Sequence, residues 1–137
     1  MAPVLDSLFA GLPVLLTHVG LTLIMLVGGV LVYLAVTPYH EMKLVRAGNV
    51  AAALSFAGII LALAIPLAAS LKSSVTLFDI LAWGSVAVAL QLVTFFVVDR
   101  MLRGLSKRIE HGELSAAIVL VAAKLAVALV TAAALAI

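Results

Sequence analysis

The chain has no cysteine and one tryptophan, and only 10% of it is charged. Without cysteine there is neither a disulfide nor a thiolate metal site, and nothing marks the redox compartment. With so little charge, 137 residues that are 66% hydrophobic do not suit a soluble globule. A soluble domain of that size buries only roughly 60–70% of what its unfolded chain exposes. The mean hydropathy of +1.38 instead implies that lipid covers much of the surface. No P-loop, GxSxG elbow, selectivity-filter sequence or pair of catalytic carboxylates is present, so neither an enzyme nor a cofactor is expected. The isoelectric point near 9.3 comes from a few Lys and Arg in short connections, which makes nucleic acid a poor partner. The N-terminus, MAPVLDSLFAG, lacks the basic start of a secretory signal and is expected to be retained.

Four apolar runs follow. They cover about Leu12 to Val36, Val50 to Ser70, Phe78 to Val98 and Leu114 to Ile137. Each is long enough at 1.5 Å per residue to cross a hydrocarbon layer of ~30 Å. The fold class predicted is therefore all-α and integral to a membrane, one four-span domain over 1–137. Pro13 suits a first helical turn. Tyr33, Tyr39 and Trp83 sit where amphipathic rings favour a lipid–water boundary. Asn49 is placed to cap the second span. Pro66 frees the carbonyl of Ala62.

The chain also matches itself at an offset of 64. Gly48 falls on Gly112, Ala52 and Ala53 on Ala116 and Ala117, Gly20 on Gly84 and Lys43 on Lys107. Two tandem two-span repeats, about 8–72 and 73–137, account for this. Each has an even number of spans, so both copies enter the membrane in the same orientation. Lys43, Arg46, Arg100, Arg103, Lys107 and Arg108 then share one side, and Lys72 alone faces the other. The positive-inside rule makes the six-residue side cytoplasmic and puts both termini outside. The same basic loops suit anionic lipid or a cytoplasmic or membrane protein partner.

Helices in lipid associate by close packing of small residues. Ala51, Ser55, Gly58 and Ala62 line one face of the second span, and Ala128, Ala132 and Ala136 recur in the fourth. Packing inside the bundle is the expected use, with an interface between copies as the second. If Leu63 faces lipid, enlarging it should cost less than enlarging Gly58.

Lys124 is the strongest chemical signal. It lies about 15 Å into the fourth span, where a lysine costs roughly 2.5–3.5 kcal/mol on insertion scales. Each Leu, Ile or Val returns roughly 0.3–0.6 kcal/mol, and the span has eleven of them, so it still inserts. By helix depth, Asp99 and Glu113 lie at the membrane edge and Gln91 is the nearest polar residue. A lysine snorkelling toward water is the plainer reading. A polar path through Lys124, Gln91 and His18 is the sharper one. His18, one turn from Thr22, also suits a bond to a carbonyl or to that threonine. His40, Glu41, His111 and Glu113 make at most a weak metal pattern, without zinc-type spacing.

The blocks RAGNVAAALSFAGIILALAIPLAAS, LAWGSVAVALQLVTFF and EHGELSAAIVLVAA together resemble the YjfL-like family of small bacterial inner-membrane proteins, domain of unknown function 350. The resemblance covers nearly the whole chain and implies a four-span, duplicated protein with no assigned activity. It carries over no catalytic residue. Glu113 stands where Asn49 stands in the first copy, and Lys124 has no counterpart, so the copies are not strictly equivalent. The reading favoured is a non-enzymatic inner-membrane scaffold or regulator, working as a homo-oligomer. The alternative is a small channel or transporter subunit.

Overall fold

The computed structural model describes residues 2–36 and 41–135; Tyr39, His40 and Ala136 lie outside them. In chain order the helices are α1 (Ala2–Val36), α2 (Glu41–Arg46), α3 (Val50–Ser73), α4 (Leu77–Met101), α5 (Arg103–Glu110) and α6 (Leu114–Leu135). Of these, α1, α3, α4 and α6 are long and apolar enough to cross a membrane. No strand occurs among the described residues. The two short helices fall in connections that composition alone marks only as polar.

Packing follows the small residues. The most extensive interface joins α3 to α6, which run the same way through the bundle. Ala51 and Ala52 meet Ala116, Ala117 and Leu120 there, closed off at the end by Ile109 of α5. Gly58 faces Val121 so closely that an added Cβ would lie 2.6 Å from a valine methyl. The small-residue face of α3 is thus consumed inside the bundle, as its spacing predicts. Leu63 belongs to the same interior, only 1% exposed and packed near Phe95 and Ala128. The lipid-facing position considered for it is incorrect, because α1 and α4 close over that side of α3.

The first span is longer than its hydropathy suggests. Helix α1 begins at Ala2 and has 35 residues, which places Pro13 in its interior rather than its first turn. The apolar helix formers before Pro13 carry the helix through, and a proline removes only one backbone bond. Thr17 adds local bonding by turning its hydroxyl onto the Pro13 and Val14 carbonyls. The later part of α1 touches the bundle, through residues that include Met25, Leu26, Gly29, Val30 and Tyr33.

Two corners set the entry of α3 and α6. Gly48 has φ 87° and Gly112 φ 82°, left-handed values that favour glycine. At the first corner the Gly48 N–H donates to the Val45 carbonyl and the Asn49 N–H to that of Leu44. At the second, Gly112 donates to Ile109 and Glu113 to Arg108. All four positions correspond at the offset of 64, and both corners close a short helix in the Schellman manner. Asn49 then ties one corner to the other. Its Oδ1 caps α3 by accepting from the Ala52 N–H at 3.0 Å. Its Nδ2 donates to the Ile109 and Glu110 carbonyls at 3.0 and 3.3 Å.

Candidate intramembrane polar site

Lys124 does not reach water. It is 1% exposed, and its ammonium lies 2.8 Å from Asp99 Oδ1. It donates to the Tyr33 hydroxyl at 2.9 Å, and that hydroxyl donates to Asp99 Oδ2 at 2.9 Å. Three helices, α1, α4 and α6, thereby contribute one side chain each to a closed triangle. At Oδ1 the geometry is that of a charge contact rather than a directed hydrogen bond. The Phe95 ring faces the ammonium at 5.5 Å and meets Tyr33 edge-on, centroids 5.7 Å apart. The ammonium is also 5.0 Å from the Tyr33 ring centre. A nitrogen that close to the hydroxyl sits beyond the ring's tip, so the hydrogen bond is the effective contact there.

Direction, rather than depth alone, brings this pair together. Side chains on a helix lean toward its N-terminus. The start of α6 lies at the same end of the bundle as the finish of α4, so the long lysine stem reaches toward Asp99. Reckoning depth along the backbone puts Asp99 out of range and misses the pair. Tyr33 departs from the interface preference of its ring: it is 4% exposed, inside the core and not at the lipid boundary. Its hydroxyl has two charged neighbours to satisfy, which outweighs the preference of a tyrosine for the interface. A lone intramembrane lysine demands a partner, and Asp99 is the acidic residue at the end of α4, on the side toward which the lysine leans. That was the available signal.

A second polar layer lies deeper. Gln91 is fully buried and donates from Nε2 to the Ala62 carbonyl at 3.0 Å, the carbonyl that Pro66 leaves without its helical partner. Thr131 shares its one hydroxyl proton between Gln91 Oε1 at 3.2 Å and the Val127 carbonyl at 2.9 Å. Thr131 is a further member that sequence reasoning did not single out. Eight positions on α4 separate Gln91 from Asp99, about 12 Å at helical rise. Ile59, Leu63, Phe95 and Ala128 fill the interval, all buried and apolar.

Lys124 and Gln91 thus share the bundle interior but belong to separate layers. His18 joins neither. It is half-buried on α1, and Thr22 bonds its backbone carbonyl at 2.8 Å rather than its ring. Among the described residues no three His, Cys, Asp or Glu side chains gather as a metal site. His111 turns Nδ1 onto the Lys107 carbonyl at 2.8 Å, and Glu113 pairs with Arg108. The basic connections stay outside the core. Lys43, Arg46, Arg100, Lys107 and Arg108 are exposed, and only the backbone of Arg103 is described.

A family profile described as Domain of Unknown Function (DUF350) matches residues 7–135, which contain all four spans, both corners and both polar layers. The chain belongs to this family. It is similar to the UPF0719 inner membrane protein YjfL of Escherichia coli (strain K12), 34% identical over 106 residues. That match covers 77% of this chain and 77% of the relative. The protein of the same description from Escherichia coli O157:H7 matches to the same extent. No solved structure matches the chain. Within this DUF350 member, polar side chains of the described residues bind separate helices together at the Asn49 corner, in the Lys124 triangle and in the Gln91–Thr131 layer.

Proposed function

We propose that this DUF350 protein is a non-enzymatic component of the bacterial inner membrane that scaffolds or modulates membrane partners. One observation carries the reading: each polar layer bonds within the bundle, and a buried apolar layer lies between them. A conduit needs polar groups that a solute can use in succession. Here the Lys124 ammonium pairs with Asp99 and bonds Tyr33, and Asp99 Oδ2 accepts from Tyr33, all within the bundle. The exposed charge of α2, Lys43 and Arg46, is left for a partner. The inner-membrane placement rests on the named relatives, and the basic count favours the α2 and α5 end as cytoplasmic with both termini outside. The matching corner bonds at an offset of 64 favour an origin by duplication. A homo-oligomer fits the thin cover on α1, least buried of the four spans.

The test is reconstitution. Proteoliposomes should show no ion flux above empty vesicles under any imposed gradient, and Lys124→Met should not change this. A photo-crosslinker at Arg46 in growing cells should give a discrete adduct heavier than the chain's own dimer. Flux that a fully assembled Lys124→Met variant abolishes, with no such adduct, would replace the scaffold with the channel or transporter reading.

A further inference from the structure

We propose that the exposed surface running from the end of α4 to the last turn of α5 is a binding site for the headgroup of anionic phospholipid, with Arg100, Lys107 and Arg108 as its cations. The lipid-facing side of α4 ends in Val93, Phe96, Val97 and Met101, all exposed, and Met101 is 78% so. Arg100 stands within that patch, its guanidinium over the Phe96 ring at 5.3 Å. An apolar surface that gives way to a planar cation is matched by an acyl chain that gives way to a phosphate. The stacking also orders the arginine before any ligand arrives, which lowers the entropy lost on binding.

The second observation is that α5 is built in, not merely charged. A topology signal acts through the number of basic residues and needs no folded placement. In this chain Ile109 is fully buried between α3 and α6, and Asn49 holds the Ile109 and Glu110 carbonyls. Lys107 and Arg108, in the last turn of α5, are therefore presented outward from a helix fixed in place. Glu113 offsets Arg108 in part, by an ion pair whose members are both about half exposed. Lys107 and Arg100 carry no such carboxylate partner among the described residues. A lipid phosphate fits better than an acidic protein surface, because Arg100 borders apolar side chains that a soluble partner would leave in lipid.

This inference goes beyond the scaffold reading, since a conduit could hold the same lipid. Thermal unfolding of the detergent-solubilised full chain tests it, with dioctanoyl phosphatidylglycerol or dioctanoyl phosphatidylcholine added at equal concentration. The glycerol lipid should raise Tm and the choline lipid should not. Raising salt from about 0.1 to about 1 M, where screening shortens to roughly 3 Å, should remove most of the rise. Arg100→Gln with Lys107→Gln should also lose it, whereas Lys72→Gln, at the other end of the bundle, should keep it. Should the double variant not fold, Arg100→Lys replaces it and should retain only part of the rise. Equal shifts from both lipids, or a full shift in the double variant or in high salt, would overturn the site. So would an equal shift from glycerol phosphate, which marks a free-anion site, or from polyglutamate, which marks an acidic-protein site.

Discussion

The Gln91 side chain donates its amide proton to the carbonyl of Ala62 across the α3–α4 interface, at 3.0 Å. That carbonyl is open because Pro66, four positions on, has no N–H to offer it. A helix defect in one span is thus satisfied by a polar residue of the next. In lipid no water competes for the role.

Gln91→Met should therefore destabilise the bundle by about 1–3 kcal/mol, since it leaves the buried Ala62 carbonyl without a donor, while the Thr131 hydroxyl keeps the Val127 carbonyl. Pro66→Ala restores the helical N–H and should recover part of that loss in the Gln91→Met background. Unfolding in mixed detergent across the double-mutant cycle reads this directly. Additive losses would mean that the two residues do not share the carbonyl.

The Lys124–Asp99 pair predicts a different pattern. Removing one partner strands a buried charge, so Asp99→Asn or Lys124→Met alone should cost roughly 3–5 kcal/mol. The double variant should lose less than either single change, because no charge remains unpaired. If Lys124→Met proves neutral by itself, the ammonium is not held as described.

Gly58→Leu should be severe and Gly28→Leu mild. An added Cβ at Gly58 meets Val121 at 2.6 Å, whereas at Gly28 nothing lies within 4 Å. The α3–α6 seam would have to open, and dispersion contacts are what hold helices together in lipid. Equal Tm values for the two variants would contradict the packing.

Asn49→Ala removes both the cap of α3 and the tie to α5. The cap alone is worth about 0.5–2 kcal/mol. Amide hydrogen exchange should rise across Arg103–Glu110 as well as in the first turn of α3. A rise confined to α3 would show that α5 is held by Ile109 alone.

Orientation has its own test, made clean by the lack of native cysteine. Ser73→Cys in intact cells should react with an impermeant thiol reagent, and Gly104→Cys should not. Both positions are exposed. Labelling of Gly104→Cys would reverse the topology.

Much of this architecture is legible in one dimension. Hydropathy alone determines that four helices cross lipid, because an unsatisfied backbone is too costly there for anything but a helix or a closed barrel. Small residues at helical spacing mark Ala51, Ser55, Gly58 and Ala62 as a packing face, and Asn49 and Pro66 announce a cap and an open carbonyl. These are local properties, set by a residue and its neighbours within a few turns. What answers the open carbonyl is not local: Gln91 is reached only once α4 lies against α3. Likewise the partner of Lys124 depends on side-chain direction and on which helix ends share a side. Asp99 and Tyr33, 66 positions apart, meet only because three helices converge there. A buried charge declares in sequence that it needs a partner, and the fold alone decides which one.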